Sequence, residues 1–224
     1  NFNAEVGFVP RRGIKITKVH IAKTPRPGRF KIRQMDPMVN VVYTTDQNNR
    51  LVSRRMHYMV SLSMEDGSYF NFMYNRFLEE LDKPFKIHPG VTIPSGSYRY
   101  GELTMAFNSD PSRRIYQRFS YSPKTFFGGF RKDVDATGGI RASNKLATEL
   151  RYRHNDVDLP WGKFDVHLGI LRVDYSLSPR MTVRSVIQYN STSQDISTSI
   201  RFNYIYRPGS DLYIVYNELR DNSV

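Results

Sequence analysis

The segment "KLATELRYRH" (Lys145–His154) decides the fold. Leu146, Thr148, Leu150 and Tyr152 alternate with Lys145, Glu149, Arg151 and Arg153. A period of two sends successive side chains to opposite faces of an extended strand, so one face here is apolar and the other ionic. The pattern recurs along the chain. Met181, Val183, Ser185, Ile187 and Tyr189 oppose Thr182, Arg184, Gln188 and Asn190. Val52, Met56, Tyr58, Val60, Leu62 and Met64 oppose Ser53, Arg55, His57, Ser61 and Ser63, with Arg54 as a lapse on the apolar side. In "STSIRFNYIYRPGSDLYIVYNE" (Ser197–Glu218), Ile200, Phe202, Tyr204 and Tyr206 stand against Arg201, Asn203 and Arg207 before "PGSD" turns the chain.

Gly, Pro and Asx clusters such as "DQNN" (Asp46–Asn49), "EDGS" (Glu65–Ser68), "FGG" (Phe127–Gly129) and "SPR" (Ser178–Arg180) separate these runs and supply hairpin turns. They delimit about twelve strands of about ten residues each. Helical periodicity is nearly absent, and "YNRFLEELDKPF" (Tyr74–Phe85) reads as strand with an irregular end. Longer connections are expected at Leu81–Ser97 and Asn155–Lys163. Within Phe164–Leu177 the alternation changes phase near Gly169–Leu171, where a β-bulge would restore the register.

Composition narrows the class. A chain of 224 residues with 15 Tyr and 14 Phe leans towards strands, and all-β barrels of this size form one domain, here residues 1–224. There is no Cys, which removes disulfides and thiolate metal sites. Lys and Arg number 33 against 21 Asp and Glu, a formal charge of +12 that favours an anionic partner. No apolar run is long enough for a transmembrane helix.

The same alternation serves a soluble sandwich, which buries its apolar face, and a membrane barrel, which turns that face to lipid. Strands of about ten residues suit a bilayer crossing better than the usual globular strand of about five or six. Tyr69, Tyr98, Tyr100, Tyr121, Tyr152, Tyr175, Tyr189, Tyr204 and Tyr206 fall near strand ends, as an interfacial aromatic girdle would have it. In a barrel, Arg118, Arg151, Arg153, Arg184, Arg201 and Arg207 face a basic, polar lumen.

Several segments resemble the carboxy-terminal barrel of a bacterial outer-membrane family catalogued as domain of unknown function 5916. They are Phe2–Arg12, Pro84–Tyr100, the "FGG" turn, Tyr152–Phe164 and Ile187–Asp221. The resemblance implies a Gram-negative outer-membrane barrel that follows a family-nine-like carbohydrate-binding module. That module lies ahead of this chain, and the closing amphipathic strand with its terminal aromatic is absent after Asn222–Val224. The expected fold is therefore an all-β, antiparallel, up-and-down transmembrane β-barrel, incomplete within these residues.

No catalytic constellation emerges. Asp156 and Asp158, with Trp161, are assigned to a rim loop, where the carboxylates cap turn amides and Trp161 packs the loop or stacks on a sugar. His20, His57, His88, His154 and His167 are scattered singly, at rim or lumen positions, so neither metal nor cofactor is expected. The basic runs Pro10–Lys18 and Lys23–Arg33 lack the interleaved aromatics of a nucleic-acid surface. Expected partners are outer-membrane lipid, lipopolysaccharide and an oligosaccharide or anionic solute, with no nucleic acid. The functional expectation is a pore, or an anchor for a glycan-binding module. Its rivals are a membrane-attached glycan hydrolase using Asp156 and Asp158 and a soluble sandwich that binds acidic glycans.

Overall fold

The computed structural model describes residues 13–221, and among them it contains strands but no helix. Twelve strands form one antiparallel up-and-down sheet: β1 (Ile14–Ala22), β2 (Ile32–Asp46), β3 (Leu51–Met64), β4 (Tyr69–Leu81), β7 (Gly96–Asn108), β8 (Ile115–Phe126), β9 (Gly129–Arg141), β10 (Leu146–Leu159), β11 (Gly162–Ser178), β12 (Met181–Asn190), β13 (Asp195–Arg207) and β14 (Ser210–Asp221). Each main-sheet strand pairs with its predecessor and successor in that order; a separate hairpin, β5 (Phe85–His88) and β6 (Val91–Ile93), sits between β4 and β7. Among the described residues β1 and β14 are the edges of the sheet, which is not closed, consistent with an incomplete barrel. The resembling segment Phe2–Arg12, the start of the Pro10–Lys18 run and Asn222–Val224 lie outside the described residues.

The strands of the sheet run from 9 residues in β1 to 17 in β11. Their connections fall at two rims. Rim A carries residues 47–50, 82–95, 127–128, 160–161 and 191–194, and rim B carries 23–31, 65–68, 109–114, 142–145, 179–180 and 208–209. The turns follow from local chemistry. Pro208 and Gly209 (φ +80°) give the Pro-then-Gly arrangement of a type II turn. Phe127 and Gly128 both have positive φ (+44° and +79°), the backbone of a two-residue hairpin turn whose twist matches that of its strands. For Phe127 that conformation is costly. Burial of its ring, only 6% exposed, compensates.

Of the two longer connections expected, Leu81–Ser97 links β4 to β7 and carries the β5–β6 hairpin, whereas the other is replaced by regular structure. Asn155–Lys163 is not a long connection: β10 continues through Asp158 to Leu159, and a two-residue turn leads into β11. Asp156 and Asp158 are therefore strand residues, and only Trp161 is in a turn. No bulge occurs near Gly169–Leu171, where β11 keeps its register with both neighbours; the shift lies between Ser176 and Ser178.

Register puts the apolar residues of the alternation on one face. Val60, Phe72, Met105, Tyr121 and Val134 form one cross-strand row on β3, β4, β7, β8 and β9, and Leu171, Ile187 and Thr198 form another on β11 to β13. This face is uncovered: Phe72, Leu103, Phe119, Leu150, Ile187 and Ile214 are all exposed.

The opposite face is concave. Val91, Ile93, Phe127, Val157 and Leu159 form a buried cluster, and side chains from Leu81 of β4 to Phe164 of β11 pack against it. In a flat sheet those two strands would stand about 24 Å apart, five strand spacings. One short hairpin contacts both because the sheet curls around it.

Candidate functional site

The concave face carries a network of ion pairs. Lys124 Nζ bridges Glu102 (2.9 Å) and Asp133 (2.6 Å), and Asp133 also accepts from Arg131 (2.7 Å) and Asn155 (2.6 Å). Asp135 accepts from both Arg151 and Arg153. Glu149 accepts from Arg118 at 2.8 Å, Arg172 at 2.9 Å and the Tyr116 hydroxyl at 3.0 Å. Tyr116 reaches Glu149 by lying across Gly139, its partner on β9; a Cβ at that glycine would stand 2.1 Å from the ring. Six cations in this network share four carboxylates, so the patch stays net positive. The Asp135 pairs are partly hydrated, which keeps each near the surface value of about 0–1 kcal/mol, whereas Lys124 (11% exposed), Glu102 and Asp133 are largely shielded from water.

Of the arginines singled out from the sequence, Arg118, Arg151 and Arg153 thus belong to one network. Arg184 is separate, 3.5 Å from Asp174, and Arg201 lies directly opposite it in register. Arg207 sits beyond the irregularity that follows Ile205, at rim B, with its Nε 3.4 Å from Ser210 Oγ. Arg118, Arg151, Arg153, Arg184 and Arg201 line one curved face without converging on a point, whereas the register shift pairs Arg207 with Ser210 on the side of Tyr204 and Leu212, so the lumen position expected for it is not the one it takes.

At rim A the polarity of the two faces reverses. On the concave side Tyr98, Tyr100, Phe126, Val157, Leu159 and Phe164 are apolar and pack on the β5–β6 hairpin. On the convex side charged residues replace the aliphatic ones: Arg54, Arg76, Arg99, Lys132, Asp156, Asp158 and Lys163. The phase change in Phe164–Leu177 is this reversal. Leu171, Val173 and Tyr175 belong to the convex apolar face, whereas Phe164, Val166, Leu168 and Ile170 turn inward. Tyr98 and Tyr100, assigned to an external girdle, are internal for the same reason. Trp161 packs edge-on against Tyr98, with ring centroids 6.1 Å apart.

Asp156 and Asp158 project outward from the same side of β10, and Asp158 accepts from Lys163 at 2.6 Å. His154 and His167 are not isolated. Antiparallel pairing of β10 with β11 sets them opposite each other on the convex face, with rings 4.3 Å apart and 2° from parallel. Asp165 joins them, its Oδ2 2.6 Å from His167 Nε2, while the Tyr152 hydroxyl lies 2.7 Å from His167 Nδ1. Sequence spacing conceals this trio because cross-strand register creates it. Three ligand atoms within 4.8 Å are close enough for a metal ion. In stacked parallel imidazoles, however, the nitrogen lone pairs lie in separate planes, and both nitrogens of His167 already have partners, so coordination would require the rings to rotate.

A depression of about 880 Å³ opens beside Gly101, lined by Arg54, Tyr74, Arg76, Arg99, Leu103 and Lys132 among others. It forms because the β7–β8 ladder is interrupted: Glu102 pairs with Lys124 and Met105 with Tyr121, but Leu103 and Thr104 have no ladder partners. Pro123, opposite Leu103, has no N–H to donate. The Thr125 hydroxyl accepts from the Gly101 N–H at 2.8 Å.

No protein-family model matches the chain, and neither the curated proteins nor the solved structures include a match to it.

Proposed function

We propose that this chain forms the wall of a β-barrel in a bacterial outer membrane, with lipid against its convex face and water in its concave interior, and serves as a pore or as the anchor of a glycan-binding module. One observation carries the reading: away from rim A the apolar face is bare, while the ion-pair network around Glu102, Asp133, Asp135 and Glu149 occupies the other face. An aqueous protein of this size would cover such a face, because exposed apolar patches beyond a few hundred Å² are rare in soluble monomers. The resemblance to the domain of unknown function 5916 family points the same way and suggests the Gram-negative setting and the glycan association. Lipid, including lipopolysaccharide, is the proposed partner outside; a sugar or anionic solute is the proposed partner inside.

Heat-modifiable gel migration of the full-length protein in detergent tests the barrel. Different mobilities before and after boiling are expected, and a protein that stays soluble without detergent and migrates identically would overturn it. Planar-bilayer recording separates the two roles. Discrete conductance steps identify a pore, and a folded but silent protein identifies an anchor.

A further inference from the structure

The depression beside Gly101 lies where the convex face changes from apolar to charged. Arg54, Leu78 and Arg99 form one cross-strand row, and Met56, Arg76 and Gly101 form the next. Tyr58, Tyr74 and Leu103 follow, then Val60, Phe72 and Met105. Lys132 flanks the hollow from β9, across β8 from Leu103. Within three strands the surface thus passes from guanidinium groups through two tyrosines to exposed aliphatic and aromatic side chains.

The cations are available. Among the described residues none of Arg54, Arg76, Arg99 and Lys132 forms an ion pair, whereas Lys124 and Arg131, whose side chains turn to the concave face, are engaged by Glu102 and Asp133. Lys163 is held by Asp158, and Asp156, opposite Lys132 in register, is the one lining carboxylate without an ion pair. Four free cations against one free carboxylate, around a hollow in the backbone, make a site for a compact anion. Forked guanidinium donors match phosphate oxygens.

We infer that this hollow binds the phosphate of an anionic membrane lipid, with Arg54, Arg76, Arg99 and Lys132 around the headgroup and an acyl chain lying along Tyr74, Leu103 and Phe72. The apolar continuation favours a lipid over a free anion: Phe72 is 46% exposed, Leu103 42% and Phe130, at the hollow's edge, 65%. The inference rests on the membrane-barrel reading and adds a defined lipid site to it.

Native mass spectrometry of the full-length protein, released from mixed micelles of dioleoylphosphatidylglycerol and dioleoylphosphatidylcholine, tests it, with heat-modifiable migration scored on every sample. The wild type is expected to retain phosphatidylglycerol in preference to phosphatidylcholine. R54Q/R76Q/R99Q should lose that preference, by about fivefold per charge removed. R99Q alone supplies a milder variant should the triple one misfold, and R180Q/R207Q removes cations at rim B. Retained preference in R99Q and the triple variant, or equal loss in R180Q/R207Q, overturns the site. Displacement of the lipid by millimolar inorganic phosphate shows an anion site without lipid selectivity and also overturns it. A wild type without heat modifiability takes the barrel reading down first, and this inference with it.

Discussion

Rim A and the rest of the wall follow opposite rules. Along most of the sheet the convex face is aliphatic and aromatic and the concave face is ionic. At rim A the concave face holds the buried cluster around Ile93 and Val157, and the convex face carries Arg54, Arg76, Arg99, Lys132, Asp156, Asp158 and Lys163. The strands are the same continuous strands, so secondary structure does not decide which side is greasy. On the proposed reading surroundings do: a wall in lipid would need an apolar outside, whereas a rim in water would need an apolar inside. On the proposed membrane reading, the border between the two regimes is where headgroups would lie.

The contrast can be broken by substitution. The largest effect is expected at the rim-A core. Ile93→Ala leaves a cavity in a closed cluster and should lower stability by about 2–5 kcal/mol in urea unfolding from micelles. The same truncation at Ile187 should cost much less, because lipid or detergent fills the space. Equal losses at the two positions would erase the distinction.

Next comes charge on the wall. Phe202→Arg should cost about 2–4 kcal/mol near the bilayer midplane, measured by reversible folding into vesicles, and Asn203→Arg on the concave side should be mild. Asp158→Arg, convex but at rim A, should also be mild. A penalty at Asp158 as large as at Phe202 would move the lipid border to the end of the sheet.

Smaller still is the ionic network. Asp135→Asn removes the negative charge shared by Arg151 and Arg153 and one of its two acceptor oxygens, and because these groups are partly hydrated the cost should be about 1–2 kcal/mol in the same assay. Gly139→Ala displaces Tyr116 from Glu149 and should lower stability comparably, while Gly138→Ala, with open space around its Cβ position, should not.

The smallest effect lies at rim B, where Arg113 clasps Asp66 at 2.8 Å across two turns. Hydrogen bonds from the Ser68 hydroxyl and N–H, aided by Arg113, hold the Asp66 carboxyl below its usual range, and Ser112 does the same for Asp110. A lowered folded-state value means that these groups contribute stability above the unfolded carboxylate range, near pH 4, and lose it as the pH falls through the folded value. Melting followed from pH 5 down to pH 3 should therefore be slightly less pH-dependent in Asp66→Asn than in wild type. Unchanged slopes would show that the clasp is immaterial.

Much of the fold is legible in the residues. Alternation at Lys145–His154, repeated between turn signals, suffices for a meander of twelve long antiparallel strands, and Arg54 already stands out as a lapse in the pattern. What local periodicity cannot carry is the third dimension. Pro89–Gly90 in "PFKIHPGVTI" signals a turn, but nothing there announces that the hairpin folds into the concavity and makes the inside apolar at one end. Without it, the inward turn of Phe164, Val166 and Leu168 looks like a slip in register, and Asp156 and Asp158 look like loop residues. Pairing of His154 with His167, and the row from Arg54 to Arg99, likewise depend on register between strands. A period-two reading of single strands contains no such information.

The inside-out arrangement itself is tested most directly by a nitroxide scan of β10. The chain has no Cys, so one introduced in turn at each of positions 146–159 takes the label alone. In bilayers, collision with oxygen should peak at 146, 148, 150 and 152 and collision with an aqueous nickel chelate at 149, 151 and 153, whereas towards rim A the chelate should reach 156 and 158 and neither reagent should reach 157 or 159. Positions 146 to 152 shielded from both reagents, as in a dry protein core, would contradict the account.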